Sequence, residues 1–446
     1  MRYGDTASFM KWNCSQIGAR EHYAIPRVLQ RNGKLESLYT DFWATAGWRV
    51  LGKLTGKRSL ATRYHSELAG APITGFNLRA LKASRQRFAN PYEGFLQVGE
   101  AFGRRVVADL QSRDKRRGTR ARKSRWSSDE RRASRADEKA SDSQALDARR
   151  STLDSGLIFF GYDTGFLEPA RWVKEHGGKT IVCQMDPSRY EVDLVKEEEG
   201  RWSGWAKRSV EVTEAYYRRR EEEWAVADLV MLNSEWTRQA LIRQGVPESK
   251  LVVVPLAYEA PPVEGRGTRD ESSRRTLRVL FLGQVILRKG IQYLIEAAKL
   301  LKEESIHFDI VGPIGISEEA LKSAPPNMTF HGPVTRDRTR EFYASADLFV
   351  LPTLSDGFAL TQLEAMAHGL PVIATPNCGE VVTDGVDGLI VPAGDPMALA
   401  EALQLLIQDP EKLKAMSEET KGKVEQFSLA RLGENLVGLE RKLLVV

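Results

Sequence analysis

Apolar positions in this chain fall into short runs that alternate with stretches of helical period, and the alternation starts twice. In the first half a strand is expected over 8–14, with Gly18 just beyond it, then an amphipathic helix over 21–31 that stops at Asn32-Gly33. Residues 44–103 read as mixed helix and loop, with Trp48, Leu51 and Leu54 marking one helix face. Strands over 156–160, 180–183, 229–233 and 251–255 are separated by helices over 168–175 and 235–244 and by a charged, Trp-dotted helical region over 192–227. In the second half, strands are expected over 278–282, 307–311, 328–330, 348–351, 372–374 and 389–391. Helices are expected over 290–301, 336–344 and 396–408, between Gly357 and Gly369, and along the tail from Pro410. Strands alternating with helices predict parallel sheets covered on both faces. The fold class is therefore α/β, with two tandem doubly wound parallel-sheet (Rossmann-like) domains.

The break between the two runs is YEAPPVEGRGTRDESSRRT, residues 258–276, whose proline, glycine and charge mark a linker. It divides a first domain, 1–257, from a second, 277–425, and a helix over 426–446 is expected to pack back toward the first. Residues 112–151 carry 14 basic against 7 acidic side chains and few apolar ones. Such a segment buries too little apolar area to order itself well, and it reads as a disordered or loosely helical insert. Its net charge is +7 while the whole chain carries +5, so the remainder is −2 and the basic character belongs to the insert. Trp126 is its one stacking residue, so nucleic-acid binding is not expected.

The apolar content of 42% and charged content of 28% place the chain among globular proteins. No apolar run reaches the roughly 18 residues of a membrane span, and the first residues lack the apolar core of a signal peptide. Cytoplasmic location is the expectation, with peripheral contact at the inner face of a membrane, through 112–151 or 44–84, as an open alternative. Cys14, Cys183 and Cys378 are scattered, which argues against a disulfide framework or zinc site. No D-x-D pair, H-E-x-x-H, P-loop or G-x-G-x-x-G follows a strand, so neither a metal nor a bound cofactor is expected.

Two places carry candidate chemistry. After the strand at 278–282 the chain reads Gly283-Gln284-Val285-Ile286-Leu287-Arg288-Lys289-Gly290 and enters a helix. A helix N-terminus with adjacent cations is a ready anion site, although an Arg-Lys pair before a glycine turn is also common on solvated surfaces. After the strand at 348–351, Asp356 lies in a short polar loop and Glu364 follows in the first turns of the next helix. Ligands of open parallel sheets bind at strand carboxyl ends, so both carboxylates belong near a ligand; helix capping is the competing explanation.

Together these pieces resemble a retaining glycosyltransferase of the GT-B fold, of the group 1 or family-four type. The resemblance rests on Val279 to Gly283 with Arg288-Lys289-Gly290, on Phe308 to Gly312, and on Phe330-His331-Gly332. It continues through Ala346 to Pro352, Asp356-Gly357-Phe358, Glu364 to Ala367, Gly369 to Thr375, and Gly385 with Asp387-Gly388-Leu389. Matches in the first half are thinner: Ala227 to Val230, Asn233-Ser234 and Val253 to Pro255. The resemblance implies transfer of a hexosyl unit from a UDP- or GDP-sugar to a glycan or lipid-linked acceptor with retention, as in polysaccharide biosynthesis. A catalytically weakened interaction module, or an epimerase or phosphorylase of the same fold, are the alternatives.

The resemblance also implies roles. Lys289 grips the diphosphate, Glu364 the ribose hydroxyls, and Asp356 faces the donor sugar, these three forming the catalytic set. Gly283, Gln284, Arg288, Gly332, Val334, Gly357, Phe358, Ala359, Leu360 and Thr361 line the donor, Gly332 and Val334 beside the base. Backbone amides of Gly357, Phe358 and Ala359 assist Asp356, and the helix start near Thr361 faces the departing diphosphate. Gly18 and Asp186 are candidates on the acceptor side. Three positions depart from the family pattern: Asp356 replaces a glutamate, Gln284 an arginine, and Gln184-Met185-Asp186 a run containing histidine.

Overall fold

The computed structural model describes residues 10–48, 63–77, 88–125, 156–207, 211–260 and 276–445. Two parallel sheets carry the architecture. The seven-stranded sheet has the order β3-β2-β1-β4-β5-β6-β7, built from β1 (Lys11–Gln16), β2 (Leu35–Thr40), β3 (Ile73–Gly75), β4 (Leu157–Tyr162), β5 (Lys179–Gln184), β6 (Leu229–Leu232) and β7 (Leu251–Val253). The six-stranded sheet has the order β10-β9-β8-β11-β12-β13. Its strands are β8 (Leu277–Leu282), β9 (Ile306–Val311), β10 (Met328–Gly332), β11 (Leu348–Leu351), β12 (Val372–Ala374) and β13 (Gly388–Ile390). Both are the doubly wound parallel sheets that the strand–helix alternation predicts.

Packing divides the chain into two discontinuous units. One comprises Met1–Cys183, Val212–Met231 and Val437–Val446, the other Gln184–Glu211 and Leu232–Leu436. The expected boundary at 258–276 differs from this division, and 261–275 of that linker lie outside the described residues. Polar contacts explain why Gln184–Glu211 joins the second unit. On the Arg189–Arg201 helix, Glu198 accepts hydrogen bonds from Gln292 Nε2 (3.1 Å) and the Tyr293 hydroxyl (2.8 Å). In the first unit, Glu440 of the C-terminal Leu429–Val445 helix accepts a hydrogen bond from Trp12 Nε1 at 2.6 Å and pairs with Lys34.

Several expectations for the first unit are corrected. The helix expected over 21–31 begins at Ala24, because Glu21, His22 and Tyr23 take left-handed φ values of 48°, 49° and 63°. β2 and β3 escape the pattern: Glu36-Ser37 interrupts the apolar run of β2, and β3 is three residues long. A helix from Pro91 to Arg125 occupies the end of the region read as mixed and the start of the insert expected to be disordered or loosely helical. Arg113 and Arg117 of this helix have partners on the neighbouring strands. Arg113 donates to Ser37 Oγ (2.8 Å) and Thr74 Oγ1 (2.9 Å), and Arg117 pairs with Glu36. Residues 126–151, together with Leu51 and Leu54, lie outside the described residues. Among the described residues no helix is long and apolar enough to cross a membrane.

The second unit is built around the apolar strands β8 and β11. Val279, Phe281, Leu348 and Val350 are fully buried and pack with Leu294, Ile373 and Leu403 in one core. The other sheet face is covered by a second cluster containing Phe349, Leu351, Leu363, Met366 and Phe427. Chain reversal after β8 depends on Gly290, which ends the Leu287–Lys289 turn at φ +75° and precedes the Ile291–Leu300 helix. A Cβ there would stand 1.8 Å from the Pro352 carbonyl oxygen, so glycine lets the turn lie directly on the loop after β11.

Gly290→Ala is therefore expected to destabilise the protein by about 2 kcal/mol or more, combining left-handed strain with that clash. Gly283→Ala, where a Cβ meets nothing within 4 Å, is expected to change stability by less than about 0.5 kcal/mol. Urea unfolding of both variants measures the contrast.

Candidate functional site

At the carboxyl ends of β8 and β11 two loops are laced together. The Arg288 carbonyl accepts from the Leu354 amide (2.9 Å) and Thr353 Oγ1 (3.1 Å). Thr375 Oγ1 donates to the Thr353 carbonyl at 2.6 Å. Asn377 Nδ2 donates to the Leu354 carbonyl, and the Asp356 amide donates to the Asn377 carbonyl, both at 2.8 Å. With the loop's backbone held by the protein, its charged side chains are fixed in a small space.

Lys289 Nζ forms an ion pair with Asp356 Oδ2. Arg288 Nη1 donates to the Ser355 carbonyl at 2.9 Å and stands 3.9 Å from Asp356 Oδ1. Asp356 is thus the counter-ion of the Arg288-Lys289 pair rather than a helix cap; the following helix, Leu360–Ala367, is entered through Ala359 with no side-chain cap. Glu364 lies on that helix and accepts a hydrogen bond from the Tyr343 hydroxyl at 2.8 Å. Tyr343 is buried and stacks on His368 with ring centroids 4.9 Å apart, which fixes the donor.

The remaining candidates have distinct surroundings. A Cβ on Gly357 would fall 1.9 Å from the Met185 carbonyl oxygen, so only glycine permits this approach. Phe358 is buried and packs on Phe427, and the Ala359 amide donates to the Cys378 carbonyl at 3.0 Å. The Ala359 amide, expected to assist Asp356, thus already has a partner in the fold. Leu360 and Thr361 are half-buried at the helix start, Gly283 is half-buried, and Gln284 is exposed. Gly332 ends β10 at φ +67°, with Val334 half-buried beyond it and His331 Nε2 2.8 Å from Asp309 Oδ1. Asp186 belongs to the same unit, and its Oδ1 accepts from the Ser188 amide at 2.8 Å. Gly18 belongs to the other unit, where its amide donates to Asp41 Oδ1 at 2.9 Å.

Two acids that sequence reasoning missed stand out. Glu191 Oε2 accepts from Ser355 Oγ at 2.8 Å and lies 3.5 Å from Arg288 Nη1. Burial raises its pKa to about 7; Arg288 opposes the shift, and Asp186 and Asp356 add to it. Glu21, in the first unit, is raised to about 7 by burial, opposed by the Tyr162 hydroxyl, which donates to it at 3.2 Å, and by Arg20. Neither stands in a motif. Ser355 is 164 positions from Glu191, and the acid-rich helix around Glu191 reads as a solvated face. Among the described residues no three His, Cys, Asp or Glu side chains gather as metal ligands would.

Residues 276–409 match the family model of glycosyl transferases group 1. Over these residues the chain is similar to the group 1 glycosyltransferases. A D-inositol 3-phosphate glycosyltransferase of Xylanimonas cellulosilytica is 31% identical over 212 residues, covering 42% of this chain and 51% of that protein. The amylovoran biosynthesis glycosyltransferase AmsK of Erwinia amylovora is 28% identical over 299 residues, covering 63% and 68%. The chain thus spans about half the length of the first of these curated relatives. Among solved structures, Anabaena HepE in complex with UDP is similar with a TM-score of 0.58 at 13% identity, covering 97% of this chain and 100% of that one. Sucrose-phosphate synthase from Thermosynechococcus elongatus gives 0.58 at 16%, covering 98% and 100%. At such identities the likeness is one of fold, and the fold is GT-B.

Tyr343→Phe removes the only hydroxyl on the Glu364 carboxylate among the described residues. A stability loss of about 1 kcal/mol is expected with an unchanged circular dichroism spectrum. An unchanged unfolding midpoint would mean that the hydroxyl does nothing for Glu364.

Proposed function

We propose that this protein transfers a hexosyl unit from a nucleoside-diphosphate sugar to a glycan or lipid-linked acceptor with retention of configuration. The observation that carries the reading is the meeting of Lys289, Arg288 and Asp356 at the strand ends, with Glu364 on the adjoining helix. In this reading the diphosphate takes Lys289 as its cation, exchanging with Asp356, and Arg288 supplies the second positive charge that Gln284 does not. Glu364, held by Tyr343, accepts the ribose hydroxyls. Asp356 and the Gly357 backbone face the sugar, and the start of the Leu360–Ala367 helix, near Thr361, lies beneath the phosphates. Preorganised charge at the leaving group is the main source of rate. The bond from the anomeric carbon to phosphate breaks as the acceptor oxygen bonds to that carbon on the same face, and the acceptor's proton passes to the departing phosphate. The proposed reaction uses no metal, so chelation is expected to leave the rate unchanged.

Anabaena HepE is solved with UDP and with UDP-glucose, and AmsK is named for amylovoran biosynthesis. These support a UDP-sugar donor and a polysaccharide-type acceptor for this chain. Cytoplasmic location, with the acceptor presented at the inner face of a membrane, belongs to the same proposal.

Glu364→Ala and Lys289→Ala are each expected to lower kcat/KM for transfer or donor hydrolysis by about 100-fold or more, with the folded state intact. If both variants retained wild-type kcat/KM, this assignment of the site would be wrong.

A further inference from the structure

Glu191 is absent from every role assigned above, yet its carboxylate lies against the cationic end of the site. It accepts from Ser355 Oγ at 2.8 Å, and Trp236 Nε1 donates to that same oxygen at 3.0 Å, so the hydroxyl is fixed between them. The Ser355 carbonyl in turn takes Arg288 Nη1 at 2.9 Å, and the guanidinium stands 3.5 Å from Glu191 and 3.9 Å from Asp356. Arg288 is thereby held between two carboxylates, while Lys289 pairs with Asp356 alone among the described residues. We propose that Glu191 is a positioning residue for the donor: through Ser355 and Arg288 it holds the guanidinium and sets how much of its charge a diphosphate receives.

The proposal rests on the nucleotide-sugar reading of the same site. The charged groups facing Glu191 are Arg288 from the turn after β8, Asp186 from the loop after β5, and Asp356 from the loop after β11, with Lys289 beyond Asp356. The Glu235–Arg243 helix contributes the neutral indole of Trp236. Burial, with Asp186 and Asp356 adding to it against Arg288, keeps Glu191 protonated up to about 7. The sign follows. Neutral Glu191 leaves the guanidinium's charge to the diphosphate; ionised Glu191 shares that charge and adds repulsion. Donor binding should weaken as pH rises through the Glu191 titration.

The test is calorimetric titration of the full chain with UDP-glucose and with GDP-mannose, whose diphosphates carry no group titrating in this range. Between pH 6 and pH 8 the wild-type Kd is expected to rise about fivefold, within the tenfold per pH unit that one linked proton allows. Glu191→Gln, neutral throughout, is expected to give a Kd that is flat with pH and equal to the wild-type value at low pH. A purely structural glutamate would not move the pH slope. A flat or inverted wild-type profile with binding intact overturns the role of Glu191 and leaves the site reading standing. So does a Glu191→Gln variant that keeps the wild-type slope. Failure of the wild type to bind either nucleotide sugar overturns the site reading and this inference with it.

Discussion

The Arg288 carbonyl accepts from both Leu354 and Thr353, and the Gly290 backbone lies where any Cβ would strike the Pro352 carbonyl. Everything proposed for the second unit depends on this seam between the turn after β8 and the loop after β11. Both segments leave adjacent parallel strands, with Leu348 paired to Val279 and Phe349 to Leu280. Strand register thus brings the two loops to the same edge, and the backbone bonds fix their separation. With those groups satisfied internally, the Arg288, Lys289 and Asp356 side chains are presented together.

Charge balance within the seam follows from that geometry. Two cations meet Asp356 and Glu191, and each acid has different support. Asp356 has the ion pair to Lys289; Glu191 has a hydroxyl, a more distant guanidinium and the repulsion of Asp186 and Asp356. An arrangement with alternative partners for its cations is suited to receiving an anion, because an incoming anion can replace contacts already made. Glu364 stands apart on its helix with the Tyr343 hydroxyl, which suits a neutral polyol more than a phosphate.

The second sheet was largely legible because its strands are continuous apolar runs bounded by turn residues: β11 is Leu-Phe-Val-Leu, all buried, and the Pro396–Gln408 helix starts at a proline behind Asp395. The pairing of Lys289 with the Asp356 loop depends on β8 and β11 being neighbours, which is set by the sheet order and not by the alternation alone. What stayed hidden rests on long-range polar contacts. Arg113 looks solvated in sequence but reaches Ser37 and Thr74; Glu198 and Glu191 look like a surface face but bond to groups far along the chain. The left-handed run at Glu21, His22 and Tyr23 broke the helix expected there, since local periodicity carries no mark of a strained turn. The Ala359 amide, expected to serve the donor, is held by Cys378, a partner that only the fold supplies.

The most direct measurement of the central claim, that the seam and its helix hold a nucleoside-diphosphate sugar, is hydrogen–deuterium exchange of the full chain with and without UDP-glucose or GDP-mannose. The account predicts slowed exchange over residues 283–291 and 356–364, where the turn, the loop and the helix start contact the ligand. Binding that left both segments unchanged while protecting other parts of the chain would contradict it.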